Sequence, residues 1–214
     1  MKKDGRYDVS GLTEAQFEPG SHELVLKNRL GIKSAQEMDV AEARALEKAM
    51  SNFIGSYAEK HRFTAADLSA LHKDWLGEIY DWAGKHRQVN ISKDDFPFAA
   101  AAQVPKLMSL FERDVLQRNT PCNFKDRAEI IRALAETHVE LVLIHPFREG
   151  NGRVARILST LMALQAGLPL LDFGLIAGIE KEAYFAAVQA GMDKNYQPME
   201  VLFAGIIERS VESS

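Results

Sequence analysis

Residues 145–156 read His-Pro-Phe-Arg-Glu-Gly-Asn-Gly-Arg-Val-Ala-Arg. This run brings together an imidazole, a carboxylate, an amide, two glycines and guanidinium groups, a density of reactive groups that few structural needs explain. Apolar residues precede it from Leu141 to Ile144, and a helical apolar pattern follows it from Ile157 to Met162. The pattern predicts a functional loop between two buried helices.

The glycines of this loop predict an anion site. Gly150 and Gly152 flank Asn151 and permit backbone angles that a side chain would forbid, so several N–H groups can point at one place. A helix that begins near Gly152 adds its unpaired first amides and the positive end of its dipole. Phosphate is the natural ligand, and Arg153 and Arg156, three residues apart on one helix face, can grip its oxygens. Two arginines indicate more than one phosphate.

The other two polar side chains suggest a reaction. Glu149 is the only acid in the loop, and beside a polyphosphate its expected task is to hold Mg²⁺. His145 remains as the base, because a neutral imidazole can take a proton from a hydroxyl near pH 7, whereas an ordinary carboxylate is too weak a base. The plainer alternative is that His145 only caps carbonyl groups at a helix end. The chain contains neither a P-loop motif nor a dinucleotide-binding glycine motif.

The run resembles the signature of the Fic family, His-x-Phe-x-Asp/Glu-Gly-Asn-Gly-Arg-x-x-Arg, at every fixed position. That family has an all-α fold, a helical bundle with one β-hairpin flap over the active-site loop, and most of its enzymes transfer AMP from ATP to a protein hydroxyl. The resemblance implies that His145 is the general base, Glu149 the Mg²⁺ ligand and Asn151 a phosphate contact. Gly150 and Gly152 would form part of the anion-binding nest. Arg153 and Arg156 would hold the triphosphate. Phe147 would anchor the loop in the core.

The intact Gly-Asn-Gly-Arg core favours AMP transfer over phosphorylation, because the phosphorylating branch of the family departs from it. Two alternatives stay open. The protein transfers another nucleotide such as UMP, or it is a binding module for a nucleotide or a partner with weak or no transferase activity.

A second segment, residues 86–98, predicts a β-hairpin. Its apolar residues alternate with polar ones and Lys93-Asp94-Asp95 supplies a polar turn. The apolar positions are Val89, Ile91, Phe96 and Phe98. Two strands alone are marginally stable, so we expect the hairpin to dock an extended segment of a target protein by strand addition. The segment resembles the Fic flap, which implies that Lys93 lies near the nucleotide, although Lys93 also suits an ordinary turn.

The rest of the chain predicts the helices that position these two segments. Residues 1–214 are expected to form a single domain, with a core at about 34–190 and C-terminal helices at about 179–212. A capping box at Ser34 starts the first predicted helix, and Thr64 starts the second, which is expected to end near Gly84. The third is predicted from Pro105 to Thr120 and the fourth from Lys125 to Ile144. The helix after the motif is predicted to stop at Gly167.

Other aromatic and histidine residues are assigned to the core. Trp75 and Trp82 are expected to pack in it rather than stack on a base. His138 lies two helical turns before His145, but no zinc pattern accompanies it, so a buried, hydrogen-bonded histidine is favoured over a metal ligand. The resemblance alone implies that Tyr184 closes the adenine pocket.

Composition excludes some classes of protein. The 214 residues carry a net charge of −4, which argues against a nucleic-acid partner. One cysteine and no apolar leader or membrane span predict a cytoplasmic protein.

Regulation is expected to come from a second protein. Many Fic proteins carry an inhibitory Ser/Thr-x-x-x-Glu-Gly/Asn helix, whose glutamate pairs with the second arginine of the motif. The nearest match here, Ser10 to Ala15, lacks the final Gly or Asn. The layout resembles toxins whose separate small antitoxin supplies that glutamate, here to Arg156.

Overall fold

Two long helices, with the loop of residues 145–150 between them, form the centre of the fold. In this computed structural model, which describes residues 11–93, 95–178 and 180–213, they are α5 (Arg127–Ile144) and α6 (Asn151–Gln165). Asp126 caps α5, its side chain accepting from the backbone N–H of Ala128 over 2.9 Å. The two helices pack against each other along largely buried faces, which confirms the predicted buried helices on each side of the motif.

In the described part of the chain, two α-helices precede the hairpin, α1 (Ala35–Ser56) and α2 (Ala65–Leu76). Ser34 caps α1 by accepting from the N–H of Glu37, but the reciprocal bond that would complete the predicted capping box is not formed. Thr64 forms a complete capping box with Asp67. The predicted end of α2 near Gly84 is wrong, because the helix ends at Leu76. The carbonyl oxygen of Leu76 accepts from two later amides, which turns the chain there, and the neighbouring glycine has low helix propensity.

The remaining helices pack around this centre. They are α3 (Val104–Phe111), which continues through a π-helical turn (Glu112–Leu116) into α4 (Gln117–Asn119), then α7 (Gly174–Ala177), α8 (Lys181–Ala190) and α9 (Gln197–Glu212). Helices α8 and α9 pack on α5 and on each other. One hydrophobic cluster extends from Val25 to Ile207, and Trp75 and Trp82 are buried in it, as predicted. None of the described helices has the length and apolarity needed to cross a bilayer.

The hairpin is shorter than residues 86–98. Antiparallel strands β1 (Ser92–Lys93) and β2 (Phe96–Pro97) pair Ser92 with Pro97 and Lys93 with Phe96. Lys93 therefore lies in a strand rather than in the turn, and Asp94 lies outside the described residues. Beyond the strands one more backbone bond forms, from the N–H of Phe98 to the carbonyl oxygen of Ile91. The described residues of the segment before Ile91 form no strand, and side chains make other bonds there. Arg87 donates to the carbonyl oxygen of Val89, and the side-chain oxygen of Asn90 accepts from the N–H of Ala101. The predicted all-α architecture with one hairpin is confirmed.

Candidate active site

His145 lies where α5 ends, in a left-handed backbone conformation with φ of 53°. Its Nδ1 is 3.1 Å from the carbonyl oxygen of Val142, which can only accept, so Nδ1 carries the proton and Nε2 keeps its lone pair. The ring stacks on Phe98, with 3.6 Å between centroids. Burial lowers the pKa of His145 to about 4. The imidazole is therefore neutral and held in the tautomer that a general base needs.

Arg87 holds the main chain beneath this histidine, a role that the sequence analysis missed. Its side chain is 2% exposed, and Nε donates to the carbonyl oxygen of His145 over 2.6 Å. The same guanidinium donates to the carbonyl oxygens of Ile144 and Ala99, and the backbone N–H of Arg87 donates to that of Pro146 over 2.8 Å. Arg87 thus satisfies carbonyls that the end of α5 leaves unpaired, and it connects the start of the flap segment to the loop. The sequence carried no signal of this role, because Arg87 is flanked by the polar residues Lys85, His86 and Gln88.

Phe147 and His72 fix the middle of the loop. Phe147 is fully buried, as predicted, and stacks on His72 with 4.0 Å between centroids. Nδ1 of His72 accepts from the N–H of Gly84 over 2.7 Å, so its Nε2 donates to the carbonyl oxygen of Glu149, 3.1 Å away. Burial lowers the pKa of His72 to about 4, which keeps the ring neutral. His72 is a second positioning residue without a sequence signal.

Asn151 shapes the loop. Its side chain accepts from the N–H of Phe147 and donates to the carbonyl oxygen of the same residue, both over 2.8 Å, and the residue is 3% exposed. The amide oxygen and one N–H of the amide nitrogen are paired within the loop, so the predicted phosphate contact stays a prediction for the second N–H of the side chain and for the backbone N–H of this cleft-lining residue.

The two glycines have different roles. Gly150 has φ of +81°, and an added Cβ would lie 2.8 Å from Cζ3 of Trp75, so both the conformation and the close approach require glycine. Gly152 is helical, and an added Cβ would meet nothing within 4 Å. The prediction of special backbone angles therefore holds for Gly150 alone. The first amides of α6, among them that of Gly152, open onto the cleft and lack intrahelical acceptors.

The two motif arginines also differ. Arg153 forms a salt bridge with the buried carboxylate of Glu42, 2.6 Å from Nη1 to Oε2, and lies over the ring of Trp75. The guanidinium group of Arg156 makes no hydrogen bond or salt bridge with any described residue. Burial lowers the pKa of Arg156, with a smaller contribution from the nearby charge of Arg153. Of Arg153 and Arg156, the two fixed arginines of the motif, only Arg156 has no carboxylate partner among the described residues, and it faces the cleft where an anion would supply a counter-charge.

The side chains of the motif residues His145, Glu149, Arg153 and Arg156 line one cleft of about 890 Å³. The motif loop forms its floor, the flap one wall and α8 another, where Tyr184 and Phe185 line it. Nζ of Lys93 lies 3.5 Å from the ring centroid of Phe185, so the flap and α8 meet across the cleft. The structure therefore places Lys93 and Tyr184 in the same cleft as the motif, although no ligand contact tests their predicted roles.

Tyr184 is joined to His138, which is buried and hydrogen-bonded as predicted. Nδ1 of His138 lies 3.1 Å from the hydroxyl of Ser159, which itself donates to the carbonyl oxygen of Ala155. Nδ1 therefore donates, and Nε2 accepts from the hydroxyl of Tyr184 over 2.9 Å. Burial lowers the pKa of His138 to about 3. The Tyr184 oxygen is left with lone pairs only, so it can accept from a ligand and not donate to it.

The residues fit a Mg²⁺ ion that enters with a polyphosphate. Among the described residues no group of three His, Cys, Asp or Glu side chains could hold a metal. Mg²⁺ commonly takes one or two carboxylates together with substrate phosphates and water. Glu149, whose side chain is 46% exposed and lines the cleft, supplies such a carboxylate.

The helical fold presents a neutral histidine, a carboxylate and an arginine without a carboxylate partner beside a helix N-terminus. This is the arrangement expected of a protein that binds a phosphate ligand next to a general base. Residues 62–163, from just before α2 into α6, match the model of the Fic/DOC family. The chain therefore carries a domain of the Fic/DOC family at these residues, as its motif predicted.

Two proteins of similar sequence are named as protein adenylyltransferases. Probable protein adenylyltransferase Fic of Escherichia coli (strain K12) is 29% identical over 191 residues, 88% of this chain and 90% of the relative. Protein adenylyltransferase VbhT of Bartonella schoenbuchensis is 33% identical over 148 residues, 67% of this chain but only 30% of VbhT.

Solved structures share the fold. BepC of Bartonella tribocorum, with bound AMPPNP, has a TM-score of 0.70 and 26% identity, over 90% of this chain and 96% of that one. The N-terminal Fic domain of a VirB-translocated effector from Bartonella quintana, with bound ADP, has a TM-score of 0.71 and 27% identity over 90% of this chain and 94% of that one.

Proposed function

We propose that this protein is a nucleotidyltransferase that moves AMP from ATP to a hydroxyl side chain of a target protein. One observation carries the proposal. Nε2 of His145 is free and unprotonated in the same cleft that holds the uncompensated charge of Arg156 and the N-terminus of α6. A base and a phosphate site side by side are what transfer of a phosphoryl group to a hydroxyl requires.

The geometry supports an in-line displacement. The first amides of α6 receive the α-phosphate, and Arg156 binds the outer phosphates. Mg²⁺ held by Glu149 would neutralise phosphate charge when it is bound. Nε2 of His145 takes the proton of the target hydroxyl as its oxygen attacks the α-phosphorus. The new P–O bond forms, the bond to the β-phosphate bridge breaks, and pyrophosphate leaves.

Both comparisons support a nucleotide as substrate. The Escherichia coli relative and VbhT are named protein adenylyltransferases, and two of the similar structures hold AMPPNP and ADP. AMP transfer is the reaction that these names share, and transfer of UMP is the alternative.

The target protein is proposed to lie along the flap. Lys93 of β1 and Phe96 of β2 pair in a two-stranded sheet, and we expect an extended target segment to add to an edge of this sheet. Phe98, which follows β2, stacks on His145, so a segment paired with the flap would carry its hydroxyl toward the base. The apolar contacts available to it are Val89, Ile91, Phe96 and Phe98.

We also propose that the protein is the toxin of a toxin–antitoxin pair. Arg156 has no carboxylate partner within the described chain, and Glu14, from the nearest inhibitory match, instead accepts from the N–H of Gln88 over 2.6 Å. A helix of a small partner protein could supply a glutamate whose carboxylate forms a salt bridge with Arg156. Cells that make the wild-type protein should stop growing, whereas cells that make His145→Ala should not; equal growth would contradict the toxin role.

Transfer itself is tested with purified protein, Mg²⁺ and cell lysate. Label that reaches a protein band from α-labelled ATP, but not from γ-labelled ATP, is expected with wild type and absent with His145→Ala. Stronger label from α-labelled UTP would favour UMP transfer. Binding of AMPPNP without any His145-dependent label would favour the binding-module alternative.

A further inference from the structure

Glu42 is a buried carboxylate that contacts the motif from outside the residues that match the family model. It lies on α1, is 3% exposed, and its Oε2 meets Nη1 of Arg153 at 2.6 Å. Its Oε1 accepts from the hydroxyl of Tyr80 over 2.7 Å, and its carbonyl oxygen accepts from Nε1 of Trp75 over 2.9 Å. These contacts fix the carboxylate in one position beneath the loop.

A stabilising role alone does not explain this pair. Burying two opposite charges costs desolvation that their attraction often only offsets, so a buried ion pair is weak evidence for stability. What it does provide is orientation. Arg153 is held by Glu42 on one side and by the ring of Trp75, 4.7 Å from its Cζ, on another.

Arg153 in turn holds Glu149. One carboxylate oxygen of Glu149, Oε1, accepts from the N–H of Gly150 over 2.8 Å and lies 3.4 Å from Nη2 of Arg153. The other oxygen, Oε2, has no hydrogen-bond partner among the described residues, in a side chain that lines the cleft. Two donors on one oxygen leave the second oxygen available to a ligand.

We propose that Glu42 is a positioning residue of the active site, which acts through Arg153 to orient the carboxylate of Glu149 toward the metal–nucleotide complex. The proposal rests on the function proposed above. In this proposal the two arginines have different roles. Glu42 neutralises the charge of Arg153, and Arg156 is left as the stronger phosphate ligand. Oriented supporting groups of this kind set the affinity of metal ligands.

The test measures binding of AMPPNP by calorimetry over a series of Mg²⁺ concentrations. Glu42→Gln keeps the shape of the side chain and removes its charge. We expect the Mg²⁺ concentration for half-maximal binding to rise about tenfold, as for other groups that support a metal ligand. Glu140→Gln, which removes the charge of a carboxylate that pairs with Lys194 and does not line the cleft, is the matched control and should leave that concentration unchanged.

Further variants separate positioning from folding. Glu42→Asp keeps the charge but withdraws it from Arg153, and it should reproduce the shift if Glu42→Gln fails to fold. In an Arg153→Gln background, Glu42→Gln should add no further shift. An unchanged Mg²⁺ dependence in folded Glu42 variants, or full additivity with Arg153→Gln, would overturn the proposal while leaving nucleotide binding intact. A wild-type protein that binds no AMPPNP would overturn the proposed function and this role with it.

Discussion

The Nε atom of Arg87 donates to the carbonyl oxygen of His145 over 2.6 Å, so the residue that opens the flap segment also holds the backbone of the candidate base. The flap and the end of α5 are joined through one buried cation. A substitution in the flap segment that moves Arg87 is therefore expected to change the backbone position of His145.

Arg87→Met should destabilise the fold and reduce transfer, because methionine fills the space but leaves buried carbonyl oxygens without donors. We expect the free energy of unfolding in urea to fall by about 3 kcal/mol. Arg113→Met, at an exposed arginine that pairs with the exposed Asp114, is the control and should leave the free energy of unfolding unchanged within error. Equal stability of the two variants would contradict the role of Arg87.

The pH dependence of transfer follows from the burial of His145. Burial disfavours the charged imidazole and lowers its pKa to about 4. A base works when it is neutral, so kcat/KM should stay flat as the pH is lowered from 8 to about 5.5 and should be lost only as it falls through about 4. The measurement is the initial rate of label transfer across this range at low ATP concentration. Half-loss near pH 6.5 would mean that His145 titrates as an ordinary exposed histidine.

The two motif glycines should respond differently to alanine. Gly150→Ala brings Cβ to 2.8 Å from Trp75 and strains a positive φ, so thermal stability should fall together with activity. Gly152→Ala meets nothing within 4 Å and replaces glycine in a helix, so the Tm should stay or rise slightly. Its effect should be a higher KM for ATP, because the new methyl group faces the cleft. A lower Tm for Gly152→Ala would contradict the open space seen above that residue.

Tyr184→Phe tests whether the acceptor oxygen of Tyr184 meets the nucleotide. Loss of one hydrogen bond of about 1 kcal/mol should raise the KM for ATP about fivefold, and kcat should change less. Tyr196→Phe is the matched control, because the Tyr196 hydroxyl bonds to Glu140 and the residue does not line the cleft. An unchanged KM in Tyr184→Phe would confine Tyr184 to packing against His138.

Local sequence predicted those parts of the molecule that local chemistry governs. The caps at Ser34 and Thr64 and the helices on each side of the motif follow from short-range patterns, because capping and helical periodicity act within a few residues. The burial of Phe147 was implied by the family resemblance alone. The end of α2 and the length of the hairpin were predicted wrongly, since side chains and turns elsewhere compete for the same backbone groups.

The sequence by itself determined the composition of the site, since His145, Glu149 and both arginines lie within one loop and the helix that follows it. Only the tertiary structure decided how they differ. Glu42 reaches Arg153 from α1 and no described carboxylate reaches Arg156, while Arg87 and His72 hold the loop from distant positions in the chain. Contacts of this kind depend on how helices pack, and packing brings together residues whose separation in sequence carries no signal of their meeting.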